Sequence, residues 1–276
     1  MNYRHAYHAG NFADVLKHAA LVALIAHLRQ KEKGFAVVDT HAGRGLYDLG
    51  GEETAKTGEA EQGVARIECA ANALKNLKIY LDIATADRAL YPGSPLIAAK
   101  LLRPQDRLVA IEKHPEEFKA LASVLKSFPN AQAVEADGYA RLPKLLPPAE
   151  RRGLVLIDPP YERADEFVEA ARALIGAYRR FSTGIYTLWY PLKDAPALAA
   201  STGEILNAGI RKVLRVEMNV GRKDAASERL SAAGLLIVNP PFGFDEEMKE
   251  AGAVLLPQLA QGPGVAFSVH WLAGEA

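Results

Sequence analysis

Gly153-Leu154-Val155-Leu156-Ile157, followed at once by Asp158-Pro159-Pro160-Tyr161, is the stretch that decides the fold. Five apolar residues predict a buried strand. The acid, two prolines and aromatic ring after them predict a rigid loop at its carboxyl end. In open α/β proteins that edge of the sheet is where ligands sit. Prolines fix φ and remove donors, which leaves the backbone carbonyls of the turn free to accept. Asp158 adds an anionic acceptor and Tyr161 a flat ring. Acceptors that converge beside a ring suit a planar, NH2-bearing group such as a nucleobase amine.

Outward from this loop the chain has a regular rhythm. Residues 35–38, 108–111, 131–134, 154–157, 184–190, 212–220, 235–238 and 265–269 read as strands, and helical stretches near 115–127, 138–146, 164–180, 194–208 and 245–258 separate most of them. Strand and helix in alternation predict a three-layer sandwich around a mostly parallel sheet. Residues 221–233 are polar and glycine-flanked, with too little apolar periodicity for a crossover helix, so the last strands are expected to include an antiparallel pair. A helix over 13–31, capped by Asn11 or Asp14, precedes the first strand. Between Asp39 and Glu112, which each end a strand, lies far more chain than a crossover needs. Residues 48–92 are therefore placed as a small helical insertion at the ligand edge, dividing the main domain into 1–47 and 93–276. Within it, 58–90 reads as two helices broken near Asn72, and 91–95 as a stiff turn before another helix at 96–102.

At 276 residues, 49% of them hydrophobic, the chain is long enough for one large domain with an insertion. Its 33 basic and 33 acidic side chains cancel, so no global field draws it onto nucleic acid. A local patch is the remaining route, and Tyr3, Arg4, His5, Tyr7, His8, Lys17 and His18 crowd one end. The single cysteine, Cys69, excludes an intrachain disulfide and a Cys-based zinc site. With no signal-peptide core at the start and no run of about 18 uncharged apolar residues, a cytoplasmic protein without a membrane partner is expected.

A second site follows the first strand. In Asp39-Thr40-His41-Ala42-Gly43-Arg44-Gly45 the glycines allow a tight turn and close ligand approach, but the third glycine of a dinucleotide fingerprint is missing. Glu112, Asp137-Gly138 and Asp158 end the next three strands. Acids at four strand ends suit an adenosine-containing ligand without phosphates, because they favour hydroxyls, an adenine amine and a sulfonium, and repel a pyrophosphate. His5, His8, His18 and His41 lack a His-Glu-x-x-His arrangement, and no metal is expected. Asn239-Pro240-Pro241-Phe242 repeats the first motif and is a rival for it, weakened by its place beyond the sixth strand and by its lack of an acid.

These motifs resemble the S-adenosylmethionine-dependent methyltransferases of the amino-group-modifying type, which share Asp/Asn-Pro-Pro-Tyr/Phe. With Tyr3-Arg4-His5, His8-Ala9-Gly10-Asn11, Asp14-Val15-Leu16-Lys17-His18, Asp39-Thr40-His41-Ala42-Gly43 and Tyr91-Pro92-Gly93-Ser94-Pro95, the chain is similar over nearly its whole length to the bacterial 23S ribosomal RNA adenine-N6 methyltransferase family. The resemblance implies a Rossmann-like class I α/β fold with a seven-stranded, mostly parallel sheet and a small helical insertion. It implies S-adenosylmethionine as cofactor and, as partner, 23S rRNA in naked or early-assembly form, methylated at the N6 amine of adenine 2030. Donor binding carries over to His18, His41, Ser94, Glu112, Asp137, Gly138 and Asp158, with Lys17 and Gly43 as further candidates. Tyr3 matches the RNA-contacting position, with Arg4, His5 and His8 beside it, and Asp158 the proton acceptor. Arg44 departs from the family's glycine loop as an extra cation, for RNA phosphate or a nearby acid.

For the chemistry, Asp158 and the Pro159 carbonyl are expected to accept the two N–H groups of the adenine amine, with Tyr161 stacked on the base. The four-residue motif alone leaves open another amine or amide methyltransferase, acting on DNA adenine, cytosine N4, guanine N2 or a glutamine amide. A non-catalytic RNA-binding protein on the same scaffold is the third reading.

Overall fold

The computed structural model describes residues 8–51, 58–67, 74–163, 165–222 and 229–274. In chain order, α1 (Phe12–Arg29) leads into β1 (Ala36–Asp39), β2 (Leu46–Asp48), α2 (Lys75–Ala84), β3 (Leu90–Pro92) and α3 (Ser94–Leu101). Then follow β4 (Arg107–Glu112), α4 (Pro115–Leu125), β5 (Ala131–Glu135), a short α5 (Gly138–Arg141), β6 (Gly153–Ile157) and α6 (Glu166–Arg180). The chain ends with β7 (Ile185–Pro191), α7 (Ala195–Asn207), β8 (Val213–Asn219), β9 (Ala232–Val238), α8 (Phe244–Leu259) and β10 (Ala266–Ala273).

One sheet runs in the order β10-β8-β9-β7-β6-β1-β4-β5. Its eight strands match the eight stretches read along the sequence and are one more than the seven that the resemblance implies. β1, β4, β5, β6 and β7 pair in parallel, whereas β7–β9, β9–β8 and β8–β10 pair antiparallel. The antiparallel end begins at β8 and β9, which pair with Asn219 opposite Ala232, as expected from the lack of an apolar helical pattern between them. β10 then adds at the free edge, where three of its eight residues are exposed and none is buried.

The parallel centre is buried on both faces, as its near-continuous Val/Leu/Ile content requires. Val37, Leu108 and Leu154 enter a cluster with α1 and α3, while their neighbours Val38, Val109 and Val155 enter another with α6. That alternation is the three-layer sandwich. α1 starts where Asn11 accepts from the backbone N–H groups of Ala13 and Asp14, and it is buried over most of its length.

The segment between β1 and β4 departs from expectation. The described part of 58–90 holds two 3-10 turns (Ala60–Gln62 and Val64–Arg66) and one helix, α2, where two helices were expected. The turns follow from Gly63, which lies against the Gly10 carbonyl where a Cβ would come within 2.0 Å. Residues 90–92, read as part of a helix and a turn, form β3 and pair with β2 in a small antiparallel ribbon. Val64, Ile67, Leu77, Tyr80 and Leu81 share one apolar cluster with α1, so this segment is packed onto the main core.

Candidate active site

All five parallel strands end at the same edge, and β1 lies where the order reverses between β6 and β4. A crevice forms at such a switch point. Here it is a cavity of ≈ 990 Å³ whose wall includes Lys17, His41, Glu112, Asp137, Asp158 and Trp189.

At its floor α1 meets the loop after β6. The Lys17 ammonium lies 2.8 Å from Asp14 Oδ1 and 2.6 Å from Asp158 Oδ2, and all three side chains are nearly buried. Burial alone pulls a lysine down, but the two carboxylates outweigh it and hold Lys17 well above the ordinary amine range. The cation is therefore permanent. Among the described residues nothing donates to the Pro159 carbonyl, so the acceptor expected beside Asp158 is open. Tyr161 adopts a left-handed φ of 52°, uncommon for an aromatic residue and typical of functional loops. Its hydroxyl donates to the Trp189 carbonyl at 2.7 Å, its own carbonyl accepts from Lys193 at 2.7 Å, and its ring rests on Phe167 and Trp189. The ring is 4% exposed, a wall of the cavity with little free face.

The glycine loop forms the other side. Glu112 accepts from the backbone N–H of Gly43 at 2.8 Å and of His114 at 2.7 Å, so it anchors the loop as well as facing the cavity. Gly43 takes φ 61°, and Gly138 packs so closely on Thr40 that a Cβ would stand 2.1 Å from its carbonyl oxygen. Asp137 caps α5 through Ala140 and pairs with Lys113. Ser94, at the start of α3, donates to buried Asp39 at 2.6 Å. His41 meets the Tyr139 ring edge-on at 4.9 Å. His18 shares a 2.8 Å hydrogen bond with the Tyr91 hydroxyl.

Two groups here titrate in opposite senses. Burial is the main cause that pushes Asp39 up to about 6, while burial brings His41 down to about 4. For Asp39 the folded state binds a proton before the unfolded chain does, so its contribution to stability grows as pH falls from 6 and is lost on the way up. For His41 the unfolded chain binds first, so stability is lost as pH falls from 6.5 toward 4. The two nearly cancel in the wild type. Asp39→Asn removes the compensation, and its unfolding free energy from denaturant titration should drop between pH 6.5 and 4 by about 2–3 kcal/mol more than that of the wild type.

Of the residues singled out in the sequence, His18, His41, Gly43, Ser94, Glu112, Asp137, Gly138, Asp158, Pro159 and Tyr161 all line this cavity, with Lys17 among them. His8 stands at the rim, paired with Glu59 at 3.0 Å. Tyr3, Arg4 and His5 lie outside the described residues. Arg44 binds Glu117 through two hydrogen bonds, the second of its two expected uses. Among the described residues no cluster of His, Cys, Asp or Glu has metal-binding geometry, and no helix is long and apolar enough to cross a membrane.

Sequence reasoning missed four contributors. Asp14 was read as a cap, although its spacing from Lys17 puts both on one helix face. Asp39 was noted as a strand end and given no partner. Trp189 and Lys193 reach the cavity from the end of β7, with no local signal of their own.

The rival Asn239-Pro240-Pro241-Phe242 is on the opposite edge of the sheet. β9 runs antiparallel to β7, so its carboxyl end pairs with Tyr186 near the start of β7. Asn239 there donates to the carbonyls of Ser182 and Gly184, and Phe242 projects fully into solvent. Phe242→Ala should leave methyl transfer within about twofold of wild type, as surface substitutions away from the site do. A large loss in single-turnover rate would contradict the placement.

Comparison with known proteins meets this geometry from the other side. The family described as "Ribosomal RNA large subunit methyltransferase D, RlmJ" matches residues 32–273. Ribosomal RNA large subunit methyltransferase J of Escherichia coli is 38% identical over 280 residues, covering 100% of both chains. The chain belongs to this family. The Haemophilus influenzae methyltransferase J is likewise 38% identical, over 286 residues and all of both chains. A crystal structure of a Legionella pneumophila protein superposes with a TM-score of 0.85 at 32% identity, covering 96% of this chain and 98% of that one. The family match spans the sheet, the glycine loop and the Asp158 loop together.

Proposed function

We propose that this chain transfers a methyl group from S-adenosylmethionine to the N6 amine of adenine 2030 in 23S ribosomal RNA. One observation carries the reading: an anionic acceptor, Asp158, and an open carbonyl, Pro159, adjoin in a cavity whose far wall holds Glu112 and Asp137. The lining fits the donor's chemistry. Carboxylates at the strand ends match ribose hydroxyls, an adenine amine and a sulfonium, and Gly138, with no Cβ, lets its loop close directly on the Thr40 backbone. Among the described residues the buried hydroxyl of Tyr139, in the cavity wall, has no hydrogen-bond partner, as expected of a group that a ligand completes.

The donor, when bound, supplies an electrophilic methyl on sulfur; the protein supplies the rest. An exocyclic amine is a poor nucleophile because its lone pair is delocalised into the ring. Asp158 and the Pro159 carbonyl accept its two N–H groups and draw nitrogen toward tetrahedral geometry. The freed lone pair then faces the methyl group. Positioning in a dry pocket supplies most of the acceleration, with effective-molarity gains reaching ~7–11 kcal/mol in favourable cases. As the new bond forms the amine becomes acidic, and Asp158 takes the proton late. Lys17 holds the carboxylate in place and keeps it compatible with burial. The base must be delivered unpaired, and Tyr161, its ring already packed on Phe167 and Trp189, serves as a fixed wall beside it where a freely stacking ring was expected.

In this reading residues 48–92 form an insertion that serves RNA recognition, the start of the chain with Tyr3 and His8 meets the RNA, and the substrate is naked or early-assembly 23S rRNA in the cytoplasm. Labelled donor offered with deproteinised rRNA, assembled large subunits and DNA tests it. Incorporation at one adenine of deproteinised 23S rRNA is the expected result. Label in DNA alone would transfer the reading to the DNA amine methyltransferases.

A further inference from the structure

On its own helix His18 has Lys17 beside it and Asp14 one turn before it, yet its ring is held from outside that helix. Its Nδ1 lies 2.8 Å from the Tyr91 hydroxyl, and that hydroxyl lies 3.1 Å from the hydroxyl of Tyr80. Tyr80 is on α2 and Tyr91 on β3, both in the segment between β1 and β4, and both side chains are fully buried. Among the described residues Tyr91 is the hydrogen-bond partner of the Tyr80 hydroxyl, and burial denies Tyr80 any solvent. Its hydrogen therefore points at the Tyr91 oxygen. The Tyr91 hydrogen is then left for His18 Nδ1, which accepts only if its proton is on Nε2. The opposite sense strands a buried hydroxyl hydrogen and costs the desolvation of that donor.

We infer that Tyr80 and Tyr91 are positioning residues that hold His18 as the Nε2–H tautomer, a fixed neutral donor aimed at the methyl donor's amino-acid carboxylate. This rests on the proposed function and adds to it a job for the inserted segment beyond RNA recognition. The cavity around His18 is rich in acceptors: Asp14 and Asp158 line it, and buried Asp39 sits behind its wall, accepting from Ser94. A carboxylate entering such a lining needs N–H groups, and Lys17 already serves two acids. A histidine that could exchange tautomers would present a lone pair half the time and repel it.

The experiment pairs two measurements on the full chain: the nitrogen chemical shifts of His18 by long-range proton–nitrogen NMR, and calorimetric binding of S-adenosylmethionine, for wild type, Tyr91→Phe and Tyr80→Phe. Wild type should show the Nε2–H pattern without any ligand. Tyr91→Phe should mix the tautomers and weaken donor binding about tenfold, raising the donor KM with kcat at saturation nearly unchanged. Tyr80→Phe, which keeps the contact to His18, should weaken binding by about two- to threefold. An Nδ1–H pattern in wild type, or donor binding by Tyr91→Phe equal to wild type with its fold intact by circular dichroism, would overturn the inference. A wild type that shows the Nε2–H pattern and binds no donor would instead sink the proposed function and leave the hydroxyl chain standing.

Discussion

Asp158→Ala lowers the methylation rate by about 10³-fold or more while the protein stays folded. A large loss is expected because the proposed mechanism gives one side chain three tasks: accepting from the amine, orienting the base and receiving the proton. Its removal does not strand Lys17, which keeps Asp14 at 2.8 Å. It also relieves Asp39, whose carboxylate is disfavoured in part by the Asp158 charge. The thermal midpoint should therefore hold within a few degrees of wild type or rise, and donor binding should persist. Single-turnover rates together with calorimetry check both halves. A variant that turns over near the wild-type rate would remove Asp158 from the chemistry.

Lys17→Met has the opposite profile, with stability failing first. Asp14 and Asp158 would face each other in a nearly dry site with no cation between them. Breaking a buried ion pair from one side costs ~3–5 kcal/mol, because it leaves uncompensated charge. That is a large part of the ~5–15 kcal/mol that holds an ordinary domain together. Asp14 also accepts from the Gly10 backbone, so the turn into α1 loosens with it. Urea titration should show the loss directly. Adding Asp14→Leu to Lys17→Met removes one of the stranded charges and should recover part of the stability, about 1–2 kcal/mol, without restoring turnover. Equal stability of Lys17→Met and wild type would mean that the triad is not the electrostatic unit described.

How much of this was legible in the sequence depended on whether the signal was local. The strand in 153–157 and its loop could be read because apolar continuity and prolines act on the backbone within a few residues. The acids at four strand ends could be read because β/α alternation fixes which edge each strand end reaches. Residues 58–67 were misread as helix, since the Ala and Glu content favours a helix and the Gly63–Gly10 contact that breaks it is tertiary. β2 and β3 were missed because each is three residues long and exists only through the other. The edge strand was legible at 265–269, and only the count of seven implied by the resemblance left it out. Trp189 and Lys193 reach the site through the pairing of β7 with β6, which no local pattern encodes. For Asn239-Pro240-Pro241-Phe242 the motif was legible and its address was not, because antiparallel pairing of β9 reverses the edge that the motif occupies.

The most direct measurement is a crystal structure of the chain with S-adenosylmethionine bound. The account predicts its adenine beside Asp137 and Gly138, its ribose on Glu112, and its methyl group pointing across the crevice toward the carboxylate of Asp158. A donor bound at the opposite edge, near Asn239, or one whose methyl group faces away from Asp158, would contradict it.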